Sequence, residues 1–440
     1  MSSLLITNAH LVTLDAEDRI FESGKLFIEN QFLVEAGDFP DDRYSPDRSI
    51  DAGGRVVMPG LINAHHHLYS TFARGFTPPG EPARNFEQIL SRLWWKLDKA
   101  LDPEDVYYSS LLVLMEAARA GCTTVIDHHA SPSCADGSLD QVERAFRDVG
   151  LSGCLCYEVS DRNREGEGIE ENERYISKCR DGGDGQMAAM FGLHALMTLG
   201  NRTLERCADI AHGLDAGFHV HAAEDAADAR LVRERHGQGV MERFLAYGIP
   251  GPKSIFVHGV HLEPGELDVL RETDSFAVVN PESNMNNAVG TPPALEMLAR
   301  GVKVALGTDG MSSRMISQAR ALYLSQRAVH GDPTLAFVEA CQALLESNRA
   351  LCNRLFPEQR GMLAPGQLAD VAIVDYRPFT PLNAETFYGH LLFGLVDAPV
   401  HTTIARGRIV VEGGRLPQLD EIAIRARCIE RARKLWARIE

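Results

Sequence analysis

The stretch LINAHHH, residues 61–67, follows Pro59-Gly60 and is an apolar run that ends in three histidines. Seven more apolar runs come after it, each ending in polar residues and separated from the next by intervals such as 103–121 and 228–248 with helical periodicity. These runs are TTVIDHH (123–129), CLCYEVSD (154–161), AAMFGLHA (188–195), GFHVHAAE (217–224), SIFVHGVH (254–261), FAVVNPESN (276–284) and VKVALGTDG (302–310). Strands that alternate with helices form parallel sheets through right-handed crossovers. Eight such units predict an α/β fold, a (β/α)8 TIM-type barrel.

Both ends of the chain have a different pattern from this central part. Residues 1–58 and 362–416 contain short alternating segments separated by Asp, Gly and Pro, which is typical of β-rich units with tight turns. We therefore predict a small β-sandwich built from both termini and a hydrolase barrel over residues 59–361. Residues 417–440 contain an amphipathic pattern, EIAIRARCIERARKLWAR, that predicts a C-terminal helix.

Composition excludes several classes of partner. The 440 residues include 61 acidic and 44 basic ones, so the formal net charge of −17 repels nucleic-acid polymers and anionic membranes. No run reaches the ~18 apolar residues that a membrane span requires. The 9 cysteines are odd in number and form no zinc-finger pair, which indicates free thiols in a reducing compartment. We therefore expect a cytoplasmic protein that binds a small molecule.

The polar ends of the runs predict a metal site, because strands of a barrel converge at their carboxyl ends. His65 and His67 lie two residues apart, so both side chains leave the same face of a strand and can bind one ion. His221 ends the fifth run, and Asp309 ends the eighth, which neighbours the first in a closed barrel. His219 has the same spacing to His221 but is equally well explained as a core histidine. We predict His65, His67, His221 and Asp309 as metal ligands.

Three residues near this set predict proton transfer. Glu224 follows the fifth strand, where it can lie over the metal without binding it. His258 ends the sixth strand, where an imidazole can stabilise a reacting oxygen, whereas His261 more simply caps the next turn. Asp309 can also take a proton from the attacking water. We predict Glu224, His258 and Asp309 as catalytic residues.

The predicted ligands are nitrogen and oxygen donors without a thiolate. Such a set suits one divalent metal, with Zn²⁺ favoured and Fe²⁺ as the alternative.

Several longer segments carry a family resemblance. PGLINAHHH, HAAE, VHGVHL, GTDG and PGQLADVAIVD together resemble the amidohydrolase superfamily, in its metal-dependent deaminase branch. LWWKLD, CTTVIDHHASP, HVHAAED and NPESNMNNAVG resemble the SsnA-type aminohydrolases, a group linked to purine metabolism. The resemblance implies the same metal ligands, proton shuttle and orienting histidine, and it adds Arg74 and His194 as substrate contacts. It also implies a homo-oligomer, a dimer or larger.

Other polar residues at the predicted barrel mouth are candidates for binding the substrate. They lie at or directly after the ends of the second, third and seventh runs: His128, His129, Asp161, Arg162 and Asn284. Each is equally well explained as a loop or supporting residue.

We therefore predict a metal-dependent aminohydrolase that deaminates a small nitrogen heterocycle, such as a purine, pterin or pyrimidine, by hydroxide generated at the metal. Two alternatives stay open. The same site could open a ring C–N bond in a cyclic amide or ureide, or the chain could be an inactive binding protein on the same fold.

Overall fold

The computed structural model describes residues 3–439. Its strands, numbered in chain order, are β1 (Ser3–Val12), β2 (Ile20–Glu29), β3 (Phe32–Gly37), β4 (Arg48–Asp51), β5 (Val56–Pro59), β6 (Leu61–His66), β7 (Cys122–His129), β8 (Ser152–Tyr157), β9 (Met187–Ala189), β10 (Phe191–Leu193), β11 (Phe218–Ala222), β12 (Ile255–His258), β13 (Phe276–Val279), β14 (Lys303–Leu306), β15 (Val371–Val374), β16 (Val400–Ala405) and β17 (Arg408–Glu412).

The helices are numbered in the same way. They are α1 (Phe86–Ile89), α2 (Trp95–Ala100), α3 (Pro103–Arg119), α4 (Ser138–Val149), α5 (Ile169–Gly182), α6 (Asn201–Gly213), α7 (Ala226–His236), α8 (Val240–Ala246), α9 (Pro264–Glu272), α10 (Pro281–Asn286), α11 (Ala294–Ala299), α12 (Met315–His330), α13 (Phe337–Gln342), α14 (Asn348–Leu355), α15 (Phe387–Phe393) and α16 (Glu421–Ile439). Shorter helical turns cover Leu68–Ala73, Leu90–Trp94, Pro132–Cys134, Leu196–Thr198, Ala343–Ser347 and Leu395–Asp397.

The central strands form a closed parallel barrel. Strands β6 to β9 make one sheet and β10 to β14 another, with every neighbouring pair parallel. Parallel bridges between Val159 and Leu193 and between His66 and Asp309 join the two sheets. The predicted (β/α)8 barrel is therefore confirmed, although its fourth unit is split at Met190 into β9 and β10.

The chain termini build a separate sheet, as predicted. Its strand order is β17-β16-β15-β5-β1-β2-β3, with β4 paired to β1. Leu4, Ile6 and Leu26 from the N-terminal part pack in one buried cluster with Ile373 and Ile404 from the C-terminal part. The two ends therefore share a hydrophobic core. The exact domain limits at residues 58 and 362 stay predictions.

Two local differences from the sequence analysis have simple causes. The interval 228–248, which has helical periodicity in the sequence, is divided between two helices, α7 and α8. The first ends at Gly237, whose φ of 68° is left-handed and favours glycine. The C-terminal β-rich segment also contains the helix α15, in which Phe387, Leu391 and Leu392 are buried at helical spacing. Among residues 3–439, no helix is both long and apolar enough to cross a membrane.

The terminal helix α16 is joined to the start of α3 by buried charges. Arg431 donates to Asp105 at 2.8 Å and to Glu104 at 2.9 Å, and it also contacts Asp102. Only 6% of the Arg431 side chain and none of that of Asp105 is exposed. Near the end of the helix, the indole of Trp436 donates to the carbonyl of Phe72 at 2.7 Å. The helix therefore supports the segment that follows β6.

We expect Arg431→Met to lower the free energy of unfolding by about 2 kcal/mol, because it removes the buried one of the two arginines that contact the fully buried carboxylate of Asp105. The change is measured as a shift of the urea midpoint. Arg433→Met, at an exposed position of the same helix, is the control. Equal midpoints for the two variants would show that the buried contact does not stabilise the fold.

Candidate active site

The strand ends bring the predicted metal ligands to one point. Nε2 of His67 lies 3.1 Å from Nε2 of His221 and 3.2 Å from Oδ1 of Asp309. Nε2 of His65 lies 3.7 Å from the same carboxylate oxygen. Ligand atoms of His65, His67 and Asp309 all fall within 4.8 Å of one another. His65 lies in β6 and His67 directly follows it, His221 lies in β11, and Asp309 lies in the segment after β14.

The hydrogen positions on these rings suit a metal ion. Nδ1 of His67 faces the carbonyl of His128 at 2.7 Å, and Nδ1 of His221 faces the carbonyl of His194 at 2.9 Å. A carbonyl oxygen only accepts, so each Nδ1 carries the hydrogen and each Nε2 presents a lone pair. Two lone pairs that face each other at 3.1 Å cannot form a hydrogen bond. A divalent cation binding both nitrogens resolves this conflict.

His65 presents its Nε2 to the same point. Its Nδ1 lies 2.7 Å from Nε2 of His219, while its buried Nε2 has no hydrogen-bond partner. Burial lowers the pKa of His65 and of His221 well below the usual imidazole range. Both rings are therefore neutral, which is the state that binds metals. Through this contact, His219 positions the ring of His65.

Glu224 and His258 face the same point. Nδ2 of Asn284 donates to Nδ1 of His258 at 2.9 Å, so the neutral ring carries its hydrogen on Nε2. This Nε2 lies 3.4 Å from Oε2 of Glu224. Burial and the nearby charge of Asp309 raise the pKa of Glu224 well above the usual carboxyl range. Glu224 can therefore hold a proton near neutral pH, and His258 can donate a hydrogen bond.

The backbone is strained at three of these strand ends. Ala223, His258 and Asp309 have φ values of 49°, 72° and 53°, in the left-handed region that non-glycine residues rarely adopt. Such strain commonly persists at functional sites, where surrounding contacts hold it. Gly307 adds a steric requirement, because a Cβ there would lie 2.7 Å from Cβ of His65. We therefore expect a larger residue at Gly307, directly after β14, to be poorly tolerated.

A cavity opens above this cluster. Its floor includes His67, His221, Glu224, His258 and Asp309, and the Phe, Tyr and Trp side chains of its walls all come from the insertion between β6 and α3. The insertion contributes Phe86, Leu90, Trp94, Trp95 and Asp98. A flat aromatic ring suits such walls, because aromatic side chains stack on ring faces.

The residues predicted to contact the substrate lie in three places: in the cavity lining, directly behind it, and away from it. Only His194 lines the cavity itself. His128, Arg162 and Asn284 lie immediately behind its lining, where they contact Glu158, Asp98 or His258.

The remaining candidates face away from the cavity. The guanidinium of Arg74 pairs with Glu116 at 2.8 Å, with 59% of its side chain exposed. His129 bonds to Ser131, and Asp161 accepts from the backbone of Gly166 and Gly200. His261, left open in the sequence, bonds to the carbonyl of Val289.

Three buried carboxylates that line the cavity were not predicted from the sequence, and one of them, Asp228, accepts from the backbone N–H groups of Ala223 and Met197. Glu158 directly follows β8, and Asp98 lies on α2; both line the cavity and both are buried. The signal for Glu158 was present, since it is the first charged residue of the third apolar run. Asp98 is one polar residue in a long insertion and carries no comparable signal.

Comparisons with known proteins agree with this geometry. Residues 56–410 match the Amidohydrolase family. A 5-methylthioadenosine/S-adenosylhomocysteine deaminase of Pelotomaculum thermopropionicum is 30% identical over 448 residues, covering 99% of each chain. A 5'-deoxyadenosine deaminase of Methanosarcina mazei is 30% identical over 446 residues, covering 100% of each chain. A solved adenosine deaminase from Xanthomonas campestris with bound zinc has a TM-score of 0.85 at 23% identity, covering 100% of this chain and 98% of that chain.

A closed parallel barrel whose strand ends bring imidazoles and carboxylates together defines a metal-dependent hydrolase of the barrel type. The chain belongs to the amidohydrolase family. The expected membership of the deaminase branch, the fold class and a hydrolase acting on C–N bonds are thereby confirmed, together with a divalent metal as cofactor.

Proposed function

We propose that the protein deaminates a small nitrogen heterocycle, releasing ammonia, with zinc as its metal. The observation that carries this proposal is the pair of Nε2 lone pairs of His67 and His221, which face each other at 3.1 Å beside Asp309, Glu224 and His258. No hydrogen bond accounts for that arrangement, and a metal ion does. Asp309, Glu224 and His258 would then surround the carbon that is attacked in a substrate bound at the cavity floor.

His65, His67, His221 and Asp309 would hold the metal. Imidazole nitrogens and a carboxylate are the ligands that zinc has in many catalytic sites. The solved adenosine deaminase from Xanthomonas campestris also has bound zinc. When bound, the ion lowers the pKa of water from ~15.7 toward ~7 and so supplies a nucleophile at neutral pH.

The protein's own groups move the protons. Oδ1 of Asp309 takes one proton as the water oxygen bonds to the carbon. The carboxyl of Glu224 gives a proton to the adjacent ring nitrogen, and Nε2 of His258 donates a hydrogen bond to the reacting oxygen. Asp309 then protonates the exocyclic nitrogen, the C–N bond breaks and ammonia leaves. The remaining hydroxyl proton returns to Glu224, which leaves a ring carbonyl.

Adenine-type compounds are the first substrates to examine. The relatives named above act on adenosine derivatives, and the aromatic cavity walls from Phe86, Trp94 and Trp95 suit a flat ring system. Both features favour a purine over an open-chain amide.

The test is a screen of the zinc-loaded protein against purines, purine nucleosides, pterins, pyrimidines and cyclic ureides, with ammonia measured directly. We expect ammonia release from at least one aminated purine compound, together with the matching shift in its absorption spectrum. Ring opening without ammonia would instead assign a cyclic amidase. Absence of both reactions in a protein that contains stoichiometric metal would contradict an enzymatic role.

We also propose that this reaction takes place in the cytoplasm. The nine cysteines are free thiols in the structure, as a reducing compartment allows. The homo-oligomer expected from the family resemblance stays a prediction.

A further inference from the structure

A second cavity, of about 390 Å³, lies between the barrel and the terminal sheet. Its lining comes from α3, the segment that leads into α12, strands β5, β6, β15 and β16, and the turn Leu395–Asp397. Cavities that bind small molecules usually have volumes of about 300–1,000 Å³, so this one has room for a ligand. In the described part of the chain, Met311 is the one residue that also lines the catalytic cavity. The second cavity is therefore a neighbouring but separate site.

The lining of the second cavity carries a net positive charge. Three arginines line it, Arg74, Arg119 and Arg314. Among residues 3–439, Glu116 is the one acidic residue of the lining. Even with Glu421, which contacts Arg119 from outside the lining, guanidinium groups outnumber carboxylates. The whole chain has a formal net charge of −17, so this cluster opposes the overall charge and attracts an anion locally.

Arg314 is the arginine without a carboxylate partner. Its side chain is exposed, and it forms no ion pair with any other residue of the range 3–439. The nearby carboxylate of Asp397 is bound instead to Arg320, at 2.9 and 3.1 Å. Arg314 can therefore pair with a ligand without breaking an existing ion pair.

The N-terminus of α12 lies at the same cavity. Residues 312–317 line the cavity, and α12 itself has 16 residues. No side chain caps this end: the N-cap residue is Arg314, and the first turn contains no acidic residue. The first N–H groups of a helix lack partners within the helix and carry partial positive charge, so they attract anions. The helix end therefore adds to the charge of the arginines.

A buried hydroxyl at this helix end is without a partner. Ser313 lines the cavity, only 5% of the residue is exposed, and its Oγ forms no hydrogen bond within residues 3–439. The two serines beside it are engaged. Oγ of Ser312 accepts from the N–H of Arg314 at 3.2 Å, and Oγ of Ser317 donates to the carbonyl of Arg314 at 2.7 Å. An unpartnered buried hydroxyl is costly, and an acceptor oxygen of a ligand would satisfy it.

The rest of the lining is largely apolar. It includes Met58, Leu61, Val374, Leu395, Val396 and Val400. An apolar group that covers such side chains releases water, which favours binding. An inorganic anion would not cover them. The lining therefore suits a ligand that has an anionic end and an apolar body.

We propose that the second cavity binds a small organic anion, a carboxylate or a phosphate monoester with an apolar body. Its anionic group would accept hydrogen bonds from Oγ of Ser313, from the guanidinium of Arg314 and from N–H groups at the start of α12. Its apolar body would pack against β15 and the turn Leu395–Asp397. The inference goes beyond the proposed function, since this site takes no part in deamination. It also gives a place to Arg74, which the family resemblance implied as a substrate contact but which lines the second cavity.

Calorimetry on the zinc-loaded protein at fixed ionic strength tests the charge of the ligand. The probes are 4-iodobenzoate and 4-iodobenzamide, which has nearly the same shape but no charge. We expect the carboxylate to bind about tenfold or more tightly than the amide, the scale of hydrogen bonds to charged groups.

Phenyl phosphate and inorganic phosphate test the apolar body in the same way. We expect phenyl phosphate to bind more tightly, because its ring covers the apolar lining. The tighter of 4-iodobenzoate and phenyl phosphate identifies the anionic group that the site prefers.

A crystal soaked with 4-iodobenzoate gives the location, because anomalous scattering reveals the position of the iodine. We expect iodine in the second cavity. Iodine in the catalytic cavity alone, where a carboxylate can bind the zinc, would contradict the inference.

Arg314→Met should weaken the binding of 4-iodobenzoate by about tenfold or more, because it removes the unpaired guanidinium. Arg408→Met is the matched control. Arg408 is likewise exposed, on β17, but does not line the cavity, so this variant should keep the native affinity.

Ser313→Ala should also weaken binding of 4-iodobenzoate. Without a ligand, its melting temperature should equal or exceed that of the native chain, because the substitution removes a buried hydroxyl that has no partner. A variant with lowered affinity and undiminished stability separates a binding role from a structural one.

Several results would overturn the inference. These are equal affinities for 4-iodobenzoate and 4-iodobenzamide, no measurable binding of any probe, or equal losses of affinity in Arg314→Met and Arg408→Met. A second copy of the chain that fills the cavity would also overturn it. None of these measurements requires ammonia release, so the inference and the proposed function can fail separately.

Discussion

Glu224→Gln should lower kcat by on the order of 10² or more while the protein keeps its metal. Glutamine has nearly the same shape but cannot give a proton to the ring nitrogen. Burial raises the pKa of the Glu224 carboxyl, so the native side chain can hold that proton near neutral pH. Steady-state kinetics on the best substrate of the ammonia screen, with metal content measured on the same sample, provides the test.

Asp225→Asn is the matched control for this variant. Asp225 is adjacent in sequence, but its side chain caps α7 by accepting from the backbone of Ala227. Asparagine caps helices as well as aspartate does, so neither stability nor kcat should change. Turnover by Glu224→Gln close to that of Asp225→Asn would remove Glu224 from proton transfer.

His67→Ala should reduce both metal content and activity, the latter by at least about 10²-fold, the upper range for losing even a supporting residue of a metal site. It removes the ring whose Nε2 is nearest to both His221 and Asp309. Since a ligand that binds only the folded state stabilises it, zinc should raise the melting temperature of the native chain and not that of the variant.

His261→Ala is the control for metal binding. His261 also follows β12, but its ring bonds to the carbonyl of Val289. Metal content and the zinc-dependent rise in melting temperature should be as in the native chain. If His67→Ala bound zinc as fully as His261→Ala does, the ligand assignment would be wrong.

The barrel was predictable because its sequence signal is regular. Buried parallel strands require continuous apolar runs, and the strand order places all their carboxyl ends at one mouth. The strand order therefore predicts that His65, in the first strand of the barrel, lies near Asp309, after the last one. The two residues are 244 positions apart in the sequence. The interruption at Met190 was invisible, because a short break between β9 and β10 keeps the same apolar composition.

The substrate end of the site was much less predictable. Its properties depend on contacts that only the fold brings together, such as those of Nε2 of His128 with the carbonyl groups of Leu193 and His219. In the sequence, Asp161 and Glu158 are both acidic residues near the end of the third apolar run, so the pattern does not distinguish their roles. Only the fold shows that Asp161 caps loop backbone groups while Glu158 borders the cavity.

The insertion between β6 and α3 has a consequence for how such enzymes diversify. The Phe, Tyr and Trp side chains of the cavity wall all come from this single continuous segment, whereas the floor comes from separate barrel strands. Replacement of the segment can therefore alter which molecules enter without disturbing proton transfer below. Substrate range and chemistry can evolve at different speeds in this chain, and an engineer could exchange the segment between relatives as one cassette.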